Sequence, residues 1–312
     1  LRAVSYLPEI TALVTPKDEM FPITPEDSLV EAVRSALANG SKIACIDLEI
    51  TESRQAESEF TGSLADPGML AHMDLLSFMR LNAGKMGETT SNIAFRRREE
   101  HMAHHLQKLA KAYKRVLFVC GMAHWKRIRA HLAGRPAKFQ HDADNQCLIA
   151  ELPVVEFHRL TGSPPYRTAA YERARTTDDF SMQGWLTNLF VEAAGLAGRK
   201  LSPADINDLL TFSRNRRIVT GALEPGLHDL VSTAAAIIDE DFAAAVAQKC
   251  FEYPFFCPDK NFTETVKFNG LYYIDYKGGK LPLKLHPAAR PVPVPAEKSE
   301  KSASEQRNSG RR

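Results

Sequence analysis

Early in the chain apolar positions recur at helical spacing. Short continuous apolar runs follow near residues 42–47 and 116–120, and helical spacing returns in the second half. Thr24-Pro25-Glu26-Asp27 reads as a helix start, with a capping hydroxyl, proline at the first helical position and acids in the first turn. The helix runs to about residue 39, buries Leu29, Val33 and Leu37, and stops at Gly40. Lys42-Ile43-Ala44-Cys45-Ile46-Asp47 reads as a buried strand ending in an acid. Residues 51–66 are polar and rich in Glu and Ser. A Met-rich helix then centres on Met69, Leu70, Met73, Leu76 and Met79, its methionines read as adaptable core packing.

A long helix from Ile93, the run Val116-Leu117-Phe118-Val119-Cys120 and a turn into another helix near Arg127 continue the alternation. Helix, strand, helix and strand in succession predict an α/β domain over residues 1–160, a mostly parallel sheet with helical cover, joined by a further strand at 147–157. Gly162-Ser163-Pro164-Pro165 breaks the chain. Helices at 184–194, 202–216 and 225–248 make residues 161–250 a helical subdomain. Within residues 251–290, the turns Phe268-Asn269-Gly270-Leu271 and Lys277-Gly278-Gly279-Lys280 suggest a short β-meander. Residues 291–312 are rich in Pro, Ser and charge and are expected to be disordered.

Composition narrows the partners. The 312 residues are 44% hydrophobic, enough to fill a core, and 40 basic against 38 acidic residues leave a net charge of +2. That balance argues against nucleic acid and anionic membranes and for a small-molecule or peptide ligand, or a protein partner. Five cysteines with no CxxC pair suit a reducing compartment. No apolar stretch approaches the roughly 20 residues of a membrane span, and no basic-plus-apolar leader opens the chain, so the expected location is cytoplasmic. The chain opens at Leu1 without a methionine and is read as a fragment or processed form.

On the helix after Ile93, Phe95, Met102, Leu106, Leu109 and Tyr113 share one face, and Arg98 falls on it. A core-facing arginine needs a carboxylate, a carbonyl array or a bound anion. Asp47 is the internal candidate. Glu99, rotated by about 100° from Arg98, either holds a neighbouring group or faces water. Ligands in α/β sheets bind at the carboxyl ends of strands. There Gly121 permits a tight exit, and His124 lies near a helix N-terminus as a candidate base or metal ligand. His101 and His105, at i and i+4, have zinc-chelating spacing, but their helix angle places them at or near the surface. Cys120 reads as an inert core thiol.

Arg98-Glu99-Glu100-His101-Met102, a hydrophobic strand and Gly121-Met122-Ala123-His124 together resemble the TraB/ChaN/erythromycin-esterase-like superfamily, which includes the Tiki-type metalloproteases. More narrowly, the chain from Met20-Phe21-Pro22-Ile23-Thr24-Pro25 through Ile46-Asp47-Leu48 is similar to a bacterial family whose genes accompany MoxR-type AAA+ ATPases and von Willebrand A-domain proteins. The likeness extends through Pro165-Tyr166 into the C-terminal helices. In the superfamily a G-x-x-H or G-E-x-H motif ends the first strand, and a second follows an Arg-bearing helix. Only the second is present here, as Gly121 and His124, with Arg98 matching the helix arginine. The first is expected upstream of Leu1, so the resemblance implies a truncated or an inactive member.

Three readings follow. In the first, a hydrolase-like domain with an optional divalent metal uses His124 as base or metal ligand, Arg98 as anion or oxyanion binder and Asp47 to orient either, against an ester or amide. In the second, the chain is a scaffold docking to a MoxR-type ATPase or von Willebrand A-domain partner, with Arg98 paired internally to an acid. In the third, implied by one branch of the superfamily, it carries heme or a metal.

Overall fold

The structure, a computed structural model, describes residues 2–14, 20–48, 65–84, 92–134, 148–177, 180–220, 222, 224–255, 267–268, 273–276 and 279–282. It overturns the mostly parallel α/β expectation: the fold is mostly helical, and its strands form two small antiparallel sheets. After a 3-10 turn at Arg2–Tyr6 come β1 (Thr11–Val14), β2 (Met20–Ile23), α1 (Ser28–Ala38), α2 (Leu75–Gly84), α3 (Ile93–Ala112) and α4 (Met122–Leu132). Next are β3 (Leu148–Glu151), α5 (Val154–Thr161), α6 (Pro165–Ala174), α7 (Met182–Leu196), α8 (Pro203–Thr220), α9 (Leu227–Ile237) and α10 (Glu240–Cys250). Last come β4 (Lys267–Phe268), β5 (Tyr273–Tyr276) and β6 (Gly279–Pro282).

The first sheet has the order β2-β1-β3, with Ala12 opposite Pro22 on one side and Ala150 on the other. The second is an antiparallel meander, β4-β5-β6. Neither Lys42–Asp47 nor Val116–Cys120 is a strand. Leu117 is 89% exposed and Cys45 is exposed, whereas Ile46, Phe118 and Cys120 touch the α3–α4 core. A continuous apolar run signals burial without saying which element buries it, and here only part of each run is buried. The strand expected at 147–157 stops at Glu151, because the chain turns at Leu152-Pro153 into α5.

α1 starts three residues later than the Thr24-Pro25 pattern predicts. Asp27 is its cap, accepting from the N–H groups of Leu29 at 2.8 Å and Val30 at 3.0 Å. Leu29 and Leu37 are exposed rather than buried, since α1 is tied to α6 by charge. Arg34 grips both Glu172 oxygens at 2.7 and 2.8 Å, and Arg175 reaches Glu31 at 2.7 Å. The Met-rich stretch splits into a 3-10 turn at Pro67–Ala71 and α2, with Leu70, Leu76 and Met79 exposed rather than in a core.

Among the described residues, three apolar clusters hold the fold. The largest joins α6 to α10 around Tyr166, Leu189, Phe190, Leu230 and Phe242. The second backs the first sheet with Phe157, Ala169 and Tyr253, and the third joins α3 to α4 through Met102, Ala103, Leu106 and Ile128. The single helix expected over 225–248 is two, because Asp239 caps α10 through the Phe242 N–H at 2.8 Å.

Candidate functional site

α3 supplies half of the site and α4 the other half. The stripe Glu99, Met102, Ala103 and Leu106, at i, i+3, i+4 and i+7, is buried, and Ile128 of α4 closes on it. Glu99 sits at the end of this apolar stripe with no exposed surface, so its carboxylate must be satisfied by side chains rather than water.

Two residues of α4 satisfy it. His124 Nδ1 lies 2.7 Å from Glu99 Oε1, and Arg127 Nε donates to both carboxylate oxygens at 2.8 Å while its terminal nitrogen stands 2.7 Å from Oε1. His124 and Arg127 are three residues apart and so share a face of α4. Burial pushes the Glu99 carboxyl up. The hydrogen bonds from His124 and Arg127, with the Arg127 charge, outweigh burial and hold it below the ordinary carboxylate value. An ionised carboxylate only accepts, so Nδ1 of a neutral His124 carries the proton and Nε2 presents a lone pair. Phe95 packs edge-on against the imidazole, 5.8 Å between centroids, and the side chain keeps 16% of its surface exposed.

α4 begins at Met122, not near Arg127, which puts His124 in its first turn. Gly121 is the N-cap residue at φ −60° and ψ 135°, extended backbone open to any residue, so a tight exit is not its role. Its consequence is chemical: with no side chain to cap the helix, no side-chain hydrogen bond occupies the first-turn N–H groups beside His124.

Arg98 is engaged elsewhere. Its Nε donates to Asp47 Oδ1 at 3.0 Å and its terminal nitrogen to Oδ2. Asp47 thus orients Arg98, and it is Glu99 that orients His124. Of the two alternatives open for Glu99, holding a neighbouring group or facing water, the structure shows the first: Glu99 is buried and holds His124 and Arg127. Arg127 was missed, although an α4 beginning at Gly121 puts it one turn from His124. Cys120 is half-buried, and burial together with the Asp47 charge raises its thiol pKa, the behaviour of an inert thiol.

His101, expected near the surface, is 2% exposed and stacks on His105 at 4.5 Å between centroids. A face read from apolar residues alone misplaces this histidine. For a metal the donor set does not fit. Arg127 and His124 occupy the Glu99 oxygens, Glu99 occupies Nδ1, and among the described residues no group of three His, Cys, Asp or Glu side chains could hold an ion. Also among the described residues, no helix is long and apolar enough to cross a membrane.

Comparison with protein-family models, with curated proteins and with solved structures finds no match to this chain.

Proposed function

We propose that the α3–α4 pair is the core of a hydrolase-like site acting on an ester or amide bond of a small molecule or peptide. The observation that carries it is the buried Glu99 carboxylate hydrogen-bonded to Nδ1 of His124 at 2.7 Å. In this reading His124 Nε2 takes a proton from water as the water oxygen bonds to the substrate carbonyl carbon. Glu99 stabilises the imidazolium that forms. The first-turn N–H groups of Met122 and Ala123 receive the oxyanion, the part expected of Arg98, since the His124 N–H donates to the Gly121 carbonyl at 3.0 Å. The tetrahedral intermediate then expels the alcohol or amine, which takes from His124 the proton that Nε2 had accepted from water. No step calls on a metal.

Membership of the TraB/ChaN/erythromycin-esterase-like superfamily belongs to the same proposal and rests on Arg98 and the Gly121-to-His124 motif. A cytoplasmic setting belongs to it too, supported by an odd number of cysteines with no CxxC pair. The test is hydrolysis of p-nitrophenyl acetate and of a peptide-ester panel by wild type, His124→Ala and Glu99→Gln. Both variants should lose roughly 10²- to 10⁴-fold in kcat/KM. Equal rates for wild type and His124→Ala across the panel would sink the proposal.

One observation favours the non-catalytic scaffold instead. Arg98 is satisfied internally by Asp47, as that reading requires, and is not left open for a substrate anion. Under it the helical half docks a MoxR-type ATPase or a von Willebrand A-domain protein, and the His124→Ala variant binds such a partner as wild type does.

A further inference from the structure

Two residues of α4 reach the Glu99 carboxylate, and they bring different chemistry to it. His124 brings one ring nitrogen, Nδ1, at 2.7 Å. Arg127 brings a charge that it does not give up, with Nε 2.8 Å from both oxygens and a terminal nitrogen 2.7 Å from Oε1. The Glu99 side chain has no exposed surface and that of Arg127 keeps 5%, so water is a poor substitute for either partner. The neighbouring cation does not replace Arg127. Arg98 feels the Glu99 charge, but its guanidinium is bound to both Asp47 oxygens.

Without Arg127 the carboxylate would face His124 alone. A buried carboxylate that loses its cation recruits another, because an uncompensated charge away from water is costly. His124 is the group in reach, and it becomes a cation by taking a proton on Nε2. If the proton settles on Glu99 instead, the new O–H finds its acceptor in Nδ1, and the ring carries its own proton on Nε2. Both routes end with Nε2 protonated and without the lone pair that takes a proton from water. With Arg127 in place the carboxylate is already matched, and its burial no longer draws in that extra proton.

We propose that Arg127 is a positioning residue for His124: acting through Glu99, it keeps Nε2 of His124 free of a proton at neutral pH, the state that a general base requires. One helix supplies both parts. His124 and Arg127 are three residues apart on α4, so the proton acceptor and the fixed cation meet the same carboxylate of α3. This role deepens the hydrolase reading and rests on it for its effect on rate, whereas the protonation of the ring is readable without turnover.

The test is nitrogen NMR of the full chain with ring-¹⁵N histidine, the His124 signals being those, among ten histidines, that His124→Ala removes. At neutral pH the wild type should show Nδ1 protonated and Nε2 bare. Arg127→Lys, which keeps the charge, should show the same, and Arg127→Met should show Nε2 protonated. With p-nitrophenyl acetate Arg127→Met should lose roughly 10²-fold in kcat with little change in KM, and Arg127→Lys should regain part of the loss. A protonated Nε2 in the wild type or in Arg127→Lys overturns the proposal, as does a bare Nε2 in Arg127→Met with native far-UV circular dichroism. The first two outcomes decide it even if Arg127→Met does not fold. A ring that behaves as expected in a chain that hydrolyses no ester supports the role of Arg127 and sinks the hydrolase reading alone.

Discussion

A carboxylate stripped of water raises its own pKa, and at Glu99 two donors from α4 reverse that rise. Removing one donor should therefore cost more than removing the pair. Arg127→Met leaves a buried charge with His124 alone to satisfy it, and roughly 3–5 kcal/mol should be lost in urea denaturation. Glu99→Leu with Arg127→Met should recover most of that loss, because apolar side chains of similar size replace an ion pair nearly neutrally in a packed interior. A single variant as stable as wild type would show that Glu99 is not held as described. His124 was legible as a candidate from its helix-start position, whereas Arg98, read as core-facing, is partly exposed against Asp47 and the buried stripe carries Glu99 instead. Arg127 was not legible, because its signal depends on where α4 begins: Gly121 as cap places it three residues after His124, a start near Arg127 places it nowhere.

At the scale of elements, α1 separates propensity from burial. Thr24-Pro25 carries the local signature of a helix start, yet Asp27 caps it, and Leu29 and Leu37 face solvent while Glu31 and Arg34 face α6. Tertiary ion pairs set which side of this helix turns inward, and apolar spacing alone has no record of acids and bases more than a hundred residues away. Asp27→Ala should cost about 1 kcal/mol in thermal or urea unfolding, while Asp27→Ser keeps most of the stability. If Asp27→Ala were neutral, the capping role would return to Thr24. The strands expected at 42–47 and 116–120 failed for a related reason. Their apolar content was real, since Ile46, Phe118 and Cys120 do reach the α3–α4 core, but a run without alternation does not specify a ladder partner. Of the second-half helices, α7 and α8 were legible from their helical spacing, with α7 meeting the core through Trp185, Leu186, Leu189 and Phe190, whereas α6 was not read and the single helix expected over 225–248 is two.

Across the whole molecule, the segment before α2 is fastened to the helical half through one carboxylate. Asp66 caps the 3-10 turn through the Gly68 N–H at 2.8 Å, accepts from Arg214 at 3.0 and 2.6 Å, and also takes a hydrogen bond from Arg217. Partial burial raises its pKa. The Arg217 bond, the Gly68 N–H and the Arg214 bond outweigh burial and leave it far below the ordinary carboxylate value. A folded-state pKa below the unfolded one stabilises the fold at every pH above the unfolded value, about 4, and that contribution is lost as pH falls below it. Glu31 and Glu99 also have lowered values, so acid weakens the wild type by several routes at once. The Asp66 share is the difference between wild type and Asp66→Asn, which keeps the shape and cannot ionise. At pH 6 the wild type should have the higher urea midpoint. The gap should narrow steadily from about pH 4 to pH 2 as the Asp66 carboxylate takes up its proton in the unfolded chain while the folded one stays ionised. A gap that stays constant over that range would mean that Asp66 acts by shape and hydrogen bonding alone, and that the two halves are not held together by its charge.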